Sequence, residues 1–248
     1  MKKDIVVGLG EIGFPIYRII SKVFPTYGYD KNTDLLPKTN KKFEFHSTRF
    51  LHVCIPYNKN FVFNVIKLNK KFLPEIIVIH STIKPGTTRN IQKKLSIPVI
   101  YSATRGVHKR MLSDLKKYTK FFAFDKTIPN SIVSSRLYTQ LMKKSGIKTK
   151  KMSSPITLEL SKIICDTTYY GWLINYAQMS KIIADKFSVD YDEMWSFSDE
   201  IHKFLGNRPK LFPGFIGGHC VIPNLELLND NSLNQINKIN SIFKKFLG

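Results

Sequence analysis

The chain has 248 residues, 43% hydrophobic and 12% aromatic, and its 39 Lys and Arg against 18 Asp and Glu give a formal net charge of +21. That length suits one large or two modest domains with a sizeable core, and no run of about 18 apolar residues is present to span a membrane. Three scattered cysteines (Cys54, Cys165, Cys220) offer neither a disulfide framework nor metal-ligand spacing, and 32 lysines against seven arginines, spread along the chain, argue against a nucleic-acid face, where arginine forks are favoured.

In chain order, "DIVVGLG" (4–10) reads as a strand and turn and "EIGFPIYRIISKVF" (11–24) as a helix. The start "MKKDIVVGLG" enters a glycine turn too soon for a signal peptide, so a cytoplasmic, reducing setting is expected. Strands are predicted at 26–30, 50–56, 75–82, 97–103 and 120–125, with a Lys-rich helix between 50–56 and 75–82, and the polar segment 31–48 as loop. This rhythm predicts an α/β fold with a doubly wound, Rossmann-type parallel sheet. The second half predicts a helical domain: one long helix over 153–187, with Ser154 as N-cap and Pro155 at its first position, a second over 190–206 closed by Gly206, and a terminal helix over 233–248. The expected domains are 1–152 and 153–248.

Gly8, Gly10 and Gly13 form GxGxxG between the first strand and first helix. The spacing suits a tight turn, close approach of a pyrophosphate, and close helix–strand packing. Asp30 ends the second strand 17 residues after Gly13, where an acid accepts ribose hydroxyls and repels a 2′-phosphate, which favours NAD over NADP. Lys31, next to it, is the one feature that suits a 2′-phosphate. Glu11, Ile12, Pro56, Ser81 and Thr82 complete the expected cofactor contacts.

Four stretches then align in order with one family. "GLGEIGFP" (8–15), "HSTIKPGTT" (80–88), "ELSKIICD" (159–166) and "PGFIGGHCVIP" (213–223) resemble GLGYVGLP, STVPPGTT, AExxKxxxN and PGxGxGGHCIP of the nucleotide-sugar 6-dehydrogenases, the UDP-glucose and UDP-N-acetylmannosamine dehydrogenases. The resemblance implies a two-step, four-electron oxidation of a sugar primary alcohol by two NAD, through a thiohemiacetal and thioester on a cysteine. It places the nucleophile on Cys220, an oxyanion-stabilising ammonium on Lys162, a water-binding hydroxyl on Thr82, and substrate contacts on Arg208, Phe212 and Gly217. It implies a small-molecule sugar or nucleotide-sugar substrate and a homodimer through helix 154–186, whose Tyr169, Trp172, Leu173 and Tyr176 form an apolar stripe. The same stripe is equally consistent with packing inside the chain.

The departures fall in the chemistry. The family's asparagine is Asp166 here, its aspartate four residues after the cysteine is Asn224, and Thr104 stands where it has a glutamate. The first two read as an exchange, with Asp166 handling protons and Asn224 donating to the oxyanion. The chain also ends about where family members continue into a nucleotide-binding domain, which implies a separate nucleotide-binding partner chain or a site across a dimer. A non-catalytic NAD-binding or scaffold relative remains the alternative.

Overall fold

A computed structural model describes residues 2–37, 47–205, 213–218, 221–227, 231 and 234–248. Two compact units divide at Leu160 and Ser161, so the first turns of the expected long helix group with the sheet rather than with the helices that follow.

The first unit is built on a seven-stranded sheet: β1 (Lys2–Val7), β2 (Thr26–Tyr29), β3 (Ser47–Val53), β4 (Pro74–Ile79), β5 (Val99–Tyr101), β6 (Lys120–Phe124) and β7 (Thr149–Lys151), in the order β2-β1-β3-β4-β5-β6-β7. The helices between them are α1 (Gly13–Ile20), α2 (Phe61–Phe72), α3 (Thr87–Gln92), α4 (Met111–Lys117) and α5 (Ser131–Lys144). Strand residues alternate between faces. Val6, Phe50, Val78 and Ile100 pack with α1, α4 and α5, and Ile5, Val7, Leu51, Val53, Ile77 and Ile79 pack with α2 and α3. Each large side chain so buried contributes about 1.5–3 kcal/mol. Burial on both faces is why these strands read as continuous apolar runs.

The sheet is parallel as expected through β1 to β5, and its last two strands, β6 and the β7 that runs parallel to it, point the opposite way. β6 runs antiparallel to β5, with Ile100 opposite Phe124 and Tyr101 opposite Ala123. The reversal brings Lys120, the first residue of β6, beside the exit of β5. β3 also starts at Ser47, inside the segment expected to be loop, while 38–46 lie outside the described residues.

α6 (Pro155–Ser161) opens as expected, with the Ser154 hydroxyl accepting from Thr157 N–H at 3.3 Å. The second unit continues with a π-helical segment (Lys162–Thr168), then α7 (Tyr169–Lys186), α8 (Tyr191–Ser196), α9 (Asp199–Leu205), α10 (Val221–Glu226) and α11 (Asn234–Phe246). The π segment interrupts what the periodicity predicts as one α-helix. Its sequence, KIICDTT, is rich in β-branched residues that crowd an α-turn. The Thr167 hydroxyl also donates back to the carbonyls of Lys162 and Ile163, at 3.4 and 3.1 Å, competing with the regular ladder. The expected helix 190–206 is two helices, α8 and α9, and Gly206 lies outside the described residues. Among the described residues no helix is long and apolar enough to cross a membrane.

Candidate functional site

The glycine turn is built by close approach. Gly8 is left-handed, and a Cβ there would stand 2.9 Å from the Cys54 carbonyl. A Cβ at Gly13 would stand 1.7 Å from the Gly8 carbonyl oxygen. Gly10 is different: apart from its chain neighbours, nothing lies within 4 Å of where its Cβ would be. Gly8 and Gly13 therefore serve the fold, and Gly10 leaves one side of the turn open, as a pyrophosphate on the turn requires.

Asp30 sits directly beside this cradle. Its carboxylate accepts from Leu9 N–H at 2.6 Å and Asn32 N–H at 2.9 Å, which fixes it at the end of β2. Glu11 does not face an empty turn, because its carboxylate meets His108 Nδ1 at 2.6 Å. Ile12 is half-buried and precedes α1, while Lys31 and Pro56 are exposed. The Ser81 hydroxyl donates to the Ile55 carbonyl at 2.6 Å, tying the exits of β3 and β4 together. Thr82 follows, half-buried. Cys54 lies under the turn, and burial pushes its thiol up to about 12.

The β4 exit leads into α3, which Glu159 of α6 caps. Its buried carboxylate accepts from Gly86 N–H at 2.5 Å, Thr88 N–H at 2.9 Å and the Thr88 hydroxyl at 2.6 Å. The "KPGTT" and "ELSK" motifs thus meet through one carboxylate. Burial outweighs these three donors and raises the Glu159 carboxyl above its ordinary value.

Thr104 is buried beside Lys120, whose ammonium donates to the Thr104 hydroxyl at 2.9 Å and to the Ser102 carbonyl at 3.0 Å. A buried cation at this position was not legible in the sequence, where Lys120 reads as the polar flank of a strand.

In the second unit, Lys162 and Asp166 form an ion pair along the π segment, with the Lys162 side chain only 10% exposed and Asp166 40%. The pair is therefore not a freely solvated one. α10 packs against this same segment. It begins at Val221 and carries Asn224, which is half-buried. A Cβ at Gly171 of α7 would stand 2.9 Å from Val221 Cγ1, so the glycine permits the approach. Arg208, Phe212 and Cys220 lie outside the described residues. Gly217 is described, its N–H donating to the Phe215 carbonyl at 3.0 Å.

The loop before Cys220 is held by amides that no sequence motif singles out. Asn240 of α11 accepts from Ile216 N–H at 2.8 Å and donates to the Ile216 carbonyl at 3.0 Å. Gln178 of α7 donates to the Gly214 carbonyl at 2.7 Å and to Asn240 at 3.1 Å, and itself accepts from Asn175 at 2.7 Å. The available signal was their position, three amides at inward-facing helix positions. Asn240→Leu is expected to leave both Ile216 backbone groups buried and unsatisfied. At about 1–3 kcal/mol for each such group, urea unfolding should register a loss of about 2–6 kcal/mol.

Among the described residues no cluster of three or more His, Cys, Asp or Glu comes together to hold a metal.

No family model matches the sequence, and no curated protein matches it. Solved structures do. The UDP-D-ManNAc dehydrogenase of Pyrococcus horikoshii superposes with a TM-score of 0.82 at 18% identity, over 98% of this chain and 69% of that one. The fold is that of the nucleotide-sugar dehydrogenases. A UDP-glucose dehydrogenase from Pyrobaculum islandicum gives 0.71 at 14% identity, over 99% and 68% of the two chains. The 3-hydroxyisobutyrate dehydrogenase of Mycobacterium tuberculosis gives 0.68 at 14% identity, over 99% and 93%. This chain thus spans about two thirds of the UDP-sugar dehydrogenases and nearly all of the shorter enzyme. All three neighbours are dehydrogenases.

Proposed function

We propose that the protein is an NAD-dependent oxidoreductase acting on the primary alcohol of a sugar, of the nucleotide-sugar class, with Cys220 as covalent nucleophile. The observation that carries this reading is α10, which starts one residue after Cys220, bears Asn224, and packs against the π segment bearing Lys162 and Asp166. π segments inside helices occur often at functional sites.

NAD, when bound, supplies hydride acceptance, and two equivalents account for alcohol to acid. The open side of Gly10 receives the pyrophosphate and Asp30 the ribose hydroxyls. On the protein side, Asp166 takes the alcohol proton. The Cys220 thiolate adds to the aldehyde carbon, and the thiohemiacetal oxygen is held by the Lys162 ammonium and the Asn224 amide. After the second oxidation, water cleaves the C–S bond, giving the acid and returning the thiol. Tyr169, Trp172 and Tyr176 are 56%, 40% and 57% exposed, which supports a homodimer through helix 154–186 over packing of the stripe inside the chain.

Lys162→Met is expected to lower turnover by about 10²–10³-fold, the usual cost of one oxyanion donor, with dinucleotide binding unchanged in equilibrium titration. Asp166→Asn should abolish turnover. A wild-type rate in Asp166→Asn sinks its assignment to proton handling. A second reading, a non-catalytic dinucleotide-binding relative, is favoured by Lys120 filling the surroundings of Thr104, and in it neither substitution changes anything but stability.

A further inference from the structure

At the far end of α1 from the glycine turn, about 12 Å along a helix of this length, lies a cavity of about 260 Å³ between the end of α1, α4 and the turn that closes α5. Four cations border it: Arg18 and Lys22 from the end of α1, Lys116 from α4 and Lys144 from α5, and no Asp or Glu is among its lining residues. Ile19 and Leu112 give it an apolar wall. Like charges gathered around one concavity repel one another and are relieved by an anion.

Ser145 points to a ligand independently. It lines the cavity, is 6% exposed, and its hydroxyl has no hydrogen-bond partner among the described residues. Its backbone already closes α5 through Leu141, so the fold makes no use of the side chain. A buried hydroxyl without a partner is costly, and a ligand oxygen accepting from it removes that cost.

We propose that this cavity binds a small phosphorylated anion of about pyrophosphate or sugar-phosphate size. Arg18 offers a planar fork matched to phosphate oxygens, the three lysines supply point charges, and the Ser145 hydroxyl donates from below. The concave shape with a buried donor suits a compact phosphate and does not suit a duplex backbone, which lies along a surface stripe. The site is separate from the glycine turn, and the proposal stands whether or not the protein is a dehydrogenase.

Isothermal titration with inorganic pyrophosphate at about 0.15 M salt, where long-range surface charge is screened, tests it. A site that Gly10→Ala leaves in place is expected, about tenfold or more weaker in R18Q/K144Q and measurably weaker in Ser145→Ala. The charge substitutions are on the surface, and unchanged thermal unfolding verifies that they fold. Equal affinity in R18Q/K144Q overturns the proposal. So does binding abolished by Gly10→Ala, which assigns the anion to the glycine turn, and so does a duplex oligonucleotide binding through these residues while pyrophosphate does not bind.

Discussion

Gly13→Ala is expected to cost the first unit at least about 4 kcal/mol, at the extreme end for one added methyl, whereas Gly10→Ala is expected to fold as the wild type does. The two glycines lie three residues apart in one motif, and geometry separates them. A Cβ at Gly13 would fall 1.7 Å from the Gly8 oxygen and 3.0 Å from Cys54 Cβ, less than half of an ordinary contact distance in the first case. Neither neighbour can rotate away: one is backbone, and the other is anchored where Cys54 N–H donates to the Val7 carbonyl at 2.8 Å. The start of α1 must therefore leave β1. At Gly10 the new methyl meets nothing, so the fold is spared and only a ligand lying on the turn is obstructed. Urea unfolding and dinucleotide titration of both variants should thus give opposite patterns. Gly10→Ala should keep its stability and lose about tenfold or more in affinity. A Gly13→Ala protein as stable as wild type would falsify the turn's close packing, and undiminished affinity in Gly10→Ala would remove the cradle.

Acid should destabilise the first unit earlier and more steeply than its carboxylates require. His52 on β3 and His80 after β4 are both buried, with His52 Nδ1 and His80 Nε2 2.9 Å apart and the rings stacked. Burial, with Arg49 and Lys120 nearby, lowers His52 to about 3, and burial with Lys120 and His52 lowers His80 well below its ordinary 6.5. Folded, both imidazoles stay neutral, while in the unfolded chain each takes a proton near 6.5. The unfolded state then binds more protons below that pH, so stability is full above about 6.5 and is lost as pH falls toward about 3. The slope is about 1.4 kcal/mol per pH unit for each histidine. Asp4, raised by burial against Arg49, contributes with the opposite sign over a lower range. Urea unfolding between pH 7.5 and 5 should show stability falling with a limiting slope near twice the single-histidine value, and two imidazole resonances should fail to titrate. Flat stability across that range would mean the pair is open to water.

What the sequence revealed and what it hid divide by distance along the chain. The glycine turn and the Ser154 cap are local patterns in which neighbours dictate the conformation, and the structure forms both, with Asp30 held beside the turn by Leu9 N–H. The π segment was hidden because periodicity reports an apolar face and cannot register an extra residue per turn, although the IICDTT run carried its cause. The reversal of β6 depends on how α4 returns the chain, which no strand pattern encodes. His52 with His80, Thr104 with Lys120, and Ile216 with Asn240 are pairs separated by 28, 16 and 24 residues. Each is an ordinary polar residue until the fold brings its partner, and the last pair decides how the loop before Cys220 is held.

In the proposed reaction Cys220 carries a sugar through two oxidations. Incubation with NAD and a panel of UDP- and GDP-sugars, following NADH absorbance, tests it most directly. Wild type should produce two NADH per sugar consumed and Cys220→Ser at most one, because without the thiol the aldehyde has no covalent path to the acid. NAD that binds but is reduced with no sugar in the panel, or two NADH per sugar from Cys220→Ser, would contradict it.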